Sequence, residues 1–403
     1  MTPFFFTQMR RRVGLCLVTV LAGLVFALAL CLVHRSAEQM TRQIEAVYDN
    51  LEVRCTVTNL TGTQSDGLDL PDWVLGVFDQ ALAGKNHTSD LSLSEYVKDV
   101  QSRCSVVCTP VQSETHYTLS GISDLGADSV LQQAAGCMIW WRDGYNEEIF
   151  QGSEILLLLP VELEEQLTDE DGRIVLEVGG GDNPIMVSFR VAGVYSGGVG
   201  RLYCPWIVGR DLCVRANGYL RLDSVSATIK DNRRIDEFWQ TQASRCFVKP
   251  SKDGQPVPWE ESPIYQTYPY ALAVYDDTLV KTVEQLQQNR QLLQIVSGLI
   301  LAASFGVSAV YSFLALRHRR RELKLQHILG QKPAGILCCA LLEYGILSLI
   351  GAAMGVGIFC AAYRDTPDLT AVTVFCFVSL GGTALSYLLT MRKAFLETSL
   401  GRE

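Results

Sequence analysis

The sequence predicts an α-helical membrane protein: four transmembrane helices in a 1 + 3 order, with a mixed α/β extracytoplasmic domain inserted between helices one and two. Three observations predict this. First, the apolar segments Val13–Val33, Leu292–Leu316, Gly335–Ala362 and Leu369–Met391 each reach the ~20 residues that a helix needs to cross a hydrocarbon core. Second, residues 34–291 are mostly polar and alternate between strand and helix patterns. Third, charge divides by region. Residues 36–290 hold 20 Lys+Arg against 37 Asp+Glu, a net −17, while the rest of the chain holds 14 against 6, a net +8.

The basic residues predict the orientation. Arg10, Arg11 and Arg12 precede the first helix. Arg317, Arg319, Arg320, Arg321, Lys324 and Lys332 fill the loop after the second, and Arg392 and Lys393 follow the fourth. Only Arg364 stands in the short loop between the third and fourth. The positive-inside rule puts residues 1–12, 317–334 and 392–403 in the cytoplasm, and residues 34–291 and 363–368 outside. Both termini are then cytoplasmic in a multi-pass plasma-membrane protein. Val13–Val33 is longer than a signal-peptide core of 7–15 residues, and no A-x-A site follows it, so a retained helix is expected. At −17 the insertion excludes nucleic acid as a partner, because phosphate contacts need a basic face.

Within the insertion, Ser36–Tyr48 continues the first helix without Gly or Pro. Ile44, Val47, Tyr48 and Leu51 recur at helical spacing. Asp276–Gln294 mirrors it before the second helix, through Leu279, Val283, Leu286 and Leu293. The two predict a stalk. Between them, strands are expected at Glu52–Leu60, Tyr117–Ile122, Ile155–Leu159, Arg173–Val178, Ile185–Tyr195, Ser224–Lys230 and Ala271–Tyr275, with helices at Pro71–Ala83, Val161–Leu167 and Ile235–Ala243. Gly179–Pro184 reads as a turn and Pro250–Pro263 as a loop. The β-rich middle, about 115–220, predicts one subdomain inserted in another.

The chain has 13 cysteines, seven of them in the insertion (Cys55, Cys104, Cys108, Cys137, Cys204, Cys213, Cys246). An odd number cannot pair completely within one insertion. One or two disulfides remain open, for example Cys204–Cys213 or Cys104–Cys108. Cys104-x-x-x-Cys108 has no second Cys or His pair at ligand spacing, so no metal site is expected. No G-x-x-x-x-G-K-[ST] is present, so the chain does not bind ATP through a P-loop. No G-x-S-x-G surrounds a serine, and the insertion holds only His87 and His116. The sequence therefore predicts a non-catalytic chain with no cofactor of its own.

Two sets of residues carry the expected function. In the cytoplasmic loop, Arg319, Arg320, Arg321, Glu322, Leu323, Leu325, Ile328, Leu329 and Gly330 form a basic helix with an apolar stripe, ended by glycine. Such a helix either lies in the lipid head-group plane or docks a cytoplasmic partner. In the third membrane helix, Gly351 and Gly355 form a small-x-x-x-small face for close packing, within the bundle or in a dimer. Glu343 stands about two turns in. It is either a polar contact at a helix interface or a boundary residue whose carboxylate reaches the head groups.

The stretch Arg319–Leu337 (RRRELKLQHILGQKPAGIL) resembles the segment after the second membrane helix in FtsX-like and MacB-type ABC transporter permeases. Glu343 is similar to an acidic residue that the family often carries early in the next helix. In the insertion, Gly144-Tyr145, Phe150, Glu154–Pro160 and Phe189–Pro205 are similar to family stretches. The resemblance implies a permease subunit of the mechanotransmission type. Arg319–Gly330 would couple to a separate cytoplasmic ABC ATPase, which binds the ATP and Mg. A second permease chain would complete a homodimer or heterodimer in the lipid. ATP-driven motion would pass through the stalk to the external domain, for export or extraction of a substrate. An extracytoplasmic protein partner is left open. The alternative within the same family is a cell-division-type scaffold whose motion activates an extracytoplasmic cell-wall hydrolase.

Overall fold

The computed structural model describes residues 13–83, 92–131, 136–142, 144–179, 184–196, 200–251, 270–318, 333–364 and 369–400. It divides into two compact units, one of residues 1–47 with 281–403 and one of residues 48–280.

The first unit is helical. Among the described residues four helices are long and apolar enough to cross a membrane. They are α1 (Val13–Asn50), α7 (Asp277–His318), α8 (Pro333–Tyr363) and α9 (Leu369–Leu400). At 1.5 Å per residue the 38 residues of α1 and the 42 of α7 extend ~57 and ~63 Å, against a hydrocarbon core of ~30 Å. Helix α1 therefore runs unbroken through the expected Ser36–Tyr48 segment, and α7 absorbs Asp277–Gln294.

The second unit is a mixed α/β sheet domain. Its strands are β1 (Arg54–Thr58), β2 (Leu70–Pro71), β3 (Val97–Pro110), β4 (Tyr117–Ile122), β5 (Ile139–Trp141), β6 (Leu156–Pro160), β7 (Arg173–Val178), β8 (Ile185–Tyr195), β9 (Arg201–Pro205), β10 (Arg221–Leu222), β11 (Ser224–Ile229) and β12 (Ala271–Val274). Ten of them form one sheet in the order β12-β1-β11-β3-β4-β9-β6-β8-β5, with β7 pairing both β3 and β8. The pairs β4/β9 and β6/β8 are parallel. Because β7 bridges β3 and β8, the ladders β3-β4-β9-β6-β8-β7 close on themselves as a ring. The ring encloses Leu119, Leu157, Leu176, Val178, Phe189 and Leu202, all fully or almost fully buried. It takes β3 from outside the 115–220 stretch. From β3 the sheet continues outward through β11, β1 and β12.

Short helices lie between the strands: α2 (Asp72–Phe78), α3 (Gln80–Ala83), α4 (Val161–Leu167), α5 (Trp206–Asn217) and α6 (Ile235–Phe238). The expected helix Pro71–Ala83 breaks at Asp79, whose backbone is extended. The Asp79 carboxylate accepts hydrogen bonds from the Ala81 and Leu82 amides and so starts α3 anew. The expected Ile235–Ala243 helix also changes form: α6 opens into a π turn, Trp239–Ala243. The strand expected at Ile155 begins at Leu156; Ile155 itself is exposed.

Strands β2, β3, β5, β9 and β10 and helix α5 were not expected from the sequence. Strand β3 is the longest, but Arg103 and Ser102 are buried on it and break the alternation of apolar and polar residues. Helix α5 ends in the left-handed conformation that only Gly218 adopts without strain (φ +83°), and the Gly218 amide donates to the Val214 carbonyl.

Every described cysteine is a free thiol. The Cys104–Cys108 pairing is ruled out by geometry. Both residues lie on β3, and four residues of extended chain span ~13 Å, whereas a disulfide needs Cα atoms within ~7 Å. The Cys204–Cys213 pairing is not formed either. The Cys213 thiol donates to the Arg221 carbonyl at 3.8 Å instead.

Candidate functional site

The helical unit is knit by glycines and hydroxyls. On α8, Gly351 and Gly355 lie one turn apart and face α1. A Cβ built on Gly351 would stand 2.4 Å from the Val20 carbonyl oxygen, and one on Gly355 2.6 Å from that of Leu24. Gly23 of α1 answers from the other side: a Cβ built on it would stand 3.4 Å from the Gly351 Cα. The two backbones therefore touch, and nothing larger than glycine fits. Ala27, Leu30, Ala352 and Phe375 close the core beside this contact.

Helix α9 is held by hydrogen bonds between hydroxyls. Ser308 pairs with Ser379 at 2.9 Å, Ser348 donates to Ser379 at 3.3 Å, and Ser312 donates to Thr383 at 3.3 Å. In a lipid interior such bonds are each worth about 0.6–2 kcal/mol. A small cavity lined by Thr19, Gly23, Ser308, Tyr311, Ser348 and Ser379 opens among these helices. Glu343 is half-buried and close enough to Cys16, near the start of α1, to interact with it electrostatically.

In the α/β unit the last turn of α1 is clamped. The Asn232 side-chain amide donates to the Tyr48 and Leu51 carbonyls at 2.9 and 2.6 Å. Arg233 donates to the Asp49 carboxylate at 2.6 Å. A helix end leaves carbonyls unpaired, and Asn232 satisfies two of them. This joint fixes the register of the helix end on the turn after β11.

Deeper in the unit, Asp128 organises a buried charge cluster. Its Oδ2 accepts from Arg103 at 2.7 Å, Arg201 at 2.9 Å and Tyr203 at 3.1 Å, and its Oδ1 accepts from the Val130 amide at 2.9 Å. Arg103, itself buried, also reaches Asp66 and Asp223. Burial alone would raise the Asp128 carboxyl. The Val130 amide and the two guanidiniums outweigh it and hold the group below its ordinary value. Tyr195 and Tyr203 are pushed well up, first by burial and then by the Asp128 charge. With its lone pairs occupied, Asp128 is a strut between β3, β9 and the loops rather than a proton donor or acceptor for chemistry. Among the described residues no group of three or more His, Cys, Asp or Glu is arranged to hold a metal.

The residues expected to couple to an ATPase (Arg319, Arg320, Arg321, Glu322, Leu323, Leu325, Ile328, Leu329 and Gly330) lie outside the described residues. Sequence reasoning did not find Gly23, the hydroxyls, the Asn232 clamp or the Asp128 cluster. Only the hydroxyls leave a sequence signal: Ser304, Ser308 and Ser312 recur every four residues, and Ser379, Thr383, Ser386 and Thr390 every three or four.

No protein-family model matches the chain, and no curated protein matches it. Solved structures are similar to parts of it. The periplasmic region of MacB from Actinobacillus actinomycetemcomitans is 15% identical, with a TM-score of 0.31 over 61% of this chain and 98% of that one. The extracellular domain of the noncanonic ABC-type transporter YknZ from Gram-positive bacteria is 16% identical, with a TM-score of 0.29 over 48% of this chain and 91% of that one. A domain of a putative Permease protein from Porphyromonas gingivalis is 9% identical, with a TM-score of 0.26 over 57% and 89%. At TM-scores below 0.5 these likenesses are loose and carry no statement about what this chain does.

Proposed function

We propose that this chain is the permease subunit of a mechanotransmission-type ABC transporter of the FtsX-like and MacB-type kind. The observation that carries this reading is the length of α1 and α7. Each is one unbroken helix about twice as long as a membrane crossing requires. A tether needs no such rigidity, whereas a helix without Gly or Pro beyond the membrane transmits displacement without bending. The Asn232 and Arg233 clamp on the end of α1 gives that displacement a fixed point of delivery. In this reading the α/β unit is outside, both termini are cytoplasmic, and the basic segment Arg319–Gly330 docks a separate ATPase that supplies ATP and Mg chemistry. A second permease chain completes the assembly in the plasma membrane.

Two measurements test it. Reversing charge with Arg320→Glu and Arg321→Glu is expected to abolish co-purification of a P-loop ATPase from native membranes, while the protein still inserts. Unchanged co-purification and unchanged ATPase stimulation overturn docking at this segment. The variant Gln112→Cys places a thiol on an exposed turn of the α/β unit, whose described native cysteines are all buried. An impermeant maleimide is expected to label it in intact cells; labelling only after lysis overturns the external placement.

A further inference from the structure

We propose that the cavity where α1, α7, α8 and α9 meet is a binding site for trapped water. Its wall lies at mid-membrane. Gly23, Ser308, Ser348 and Ser379 line it, and each stands close to the centre of its apolar segment, Val13–Val33, Leu292–Leu316, Gly335–Ala362 or Leu369–Met391. At that depth no bulk water and no head group is at hand to satisfy a polar group, so any partner must come from inside the bundle.

The serines of this wall leave one hydrogen over. Ser348 donates to Ser379 at 3.3 Å, and Ser308 and Ser379 share one hydrogen bond at 2.9 Å. Each hydroxyl brings one O–H, so three donors serve two bonds. If Ser379 donates to Ser308, the Ser308 hydrogen is left; if Ser308 donates to Ser379, the Ser379 hydrogen is left. A helical serine can return such a hydrogen to a carbonyl of the preceding turn, as Ser386 does to Gly382 and Ser304 to Leu301. Among the described residues no carbonyl accepts from Ser308 or Ser379 in this way. Ser348 and Ser379 are buried as well. The spare donor therefore points to an acceptor held in the cavity, because an unpaired hydroxyl in an apolar interior is costly.

Size and chemistry both select water. The cavity gives about 40 Å³ in which a water molecule can be centred. One water needs ~10–15 Å³ on that scale, so there is room for more than one. Cavities that stay dry are apolar, whereas a trapped water makes about two to four hydrogen bonds to otherwise unsatisfied groups. Thr19 of α1 and Tyr311 of α7 bring further hydroxyls to the same wall. A metal or ammonium ion does not suit it, because the wall carries no charge and a cation is most costly at this depth. A lipid acyl chain brings no acceptor. The space itself stays open because Ala22 and Gly23 put so little side chain into it.

The site asks only that the four helices cross a membrane; it is independent of the ATPase partner. The test exposes the full chain in lipid nanodiscs to millisecond X-ray pulses, which make hydroxyl radicals from water where it lies. Oxidised side chains are then read by mass spectrometry. Phe375 is the reporter, because it lines the cavity and is only 2% exposed. Phe377 is the control, at the same depth on the same helix and 76% exposed on its outer surface. Phe375 is expected to oxidise several-fold faster than Phe377. A rate no higher than that of Phe377 overturns the site, and the cavity is then empty or filled by an acyl chain. Ala22→Val adds methyl groups to the cavity. It is expected to bring Phe375 down to the Phe377 rate. It should also lower the temperature at which the protein loses monodispersity in detergent, because expelling the water leaves a hydroxyl hydrogen unpaired. Oxidation of Phe375 that persists in Ala22→Val comes from water elsewhere and overturns the site. A rise in that temperature means that the methyl groups filled a dry space, and overturns it too. The wild-type comparison decides the matter whether or not the variant inserts.

Discussion

Asp128→Ala is expected to destabilise the α/β unit by about 3–5 kcal/mol, the usual cost of removing one partner from a buried ion pair. Truncation leaves Arg103 and Arg201 without their shared carboxylate, and Tyr203 and the Val130 amide without an acceptor. Arg103 keeps Asp66 and Asp223, which limits the loss. The full chain reports this directly. Its six tryptophans (Trp73, Trp140, Trp141, Trp206, Trp239, Trp259) all lie in residues 48–280, so tryptophan fluorescence follows the unfolding of that unit alone. Thermal unfolding of Asp128→Ala should shift down strongly by this signal. A shift no larger than that of a surface substitution would mean that the cluster is not a strut.

The same carboxylate sets a pH dependence. The pKa of Asp128 is lower folded than unfolded. Its stabilisation is therefore fully present above the unfolded value of ~3.9 and is lost as pH falls through the lower, folded value. The difference in melting temperature between the wild type and Asp128→Asn should be constant from pH 8 to pH 5. It should shrink only at pH values below the ordinary carboxylate range. A difference that already shrinks between pH 7 and pH 5 would contradict this.

Gly351→Leu is expected to separate α1 from α8. Even the first side-chain carbon would lie 2.4 Å from the Val20 carbonyl, and that atom is backbone, so a whole helix must move. Overpacking a tight contact costs about 1–3 kcal/mol for extra methylenes that side chains absorb, and more where backbone blocks the way. The expected result is a large loss of monodisperse protein in detergent, with the tryptophan-detected transition unchanged. Gly357→Leu is the control, because nothing stands within 4 Å of its Cβ position. Equal behaviour of the two variants would show that the α1–α8 contact does not hold the bundle.

The long helices were legible because their signal is local. Val13–Val33 and its three counterparts are apolar over a full crossing, and each residue's preference for lipid is a property of that residue. The strands at Tyr117–Ile122, Arg173–Val178 and Ile185–Tyr195 were equally legible through runs of apolar and β-branched residues between turn signals. Strand β3 was not, because it is buried along much of its length and carries Arg103 and Ser102 where a core strand would carry Val or Ile. Arg103 is tolerated only because Asp128, Asp66 and Asp223 arrive from elsewhere. Helix α5 follows β9 at Pro205 with no spacer, so no composition change marks its start.

The sequence by itself therefore determined the four apolar helices, the uneven charge along the chain, the absence of a P-loop, and the glycine spacing that demands a close neighbour. These follow from composition and short-range periodicity. Only the tertiary structure decided which neighbour meets which residue. It put Gly351 on α1, Arg103 against Asp128, Asn232 on the end of α1, and Gly209 of α5 on Gly121 of β4. Each of these contacts joins residues far apart in sequence, where no local pattern constrains the pairing. They are set by the register of β3 between β4 and β11 and by the seating of one glycine of a helix on one glycine of a strand.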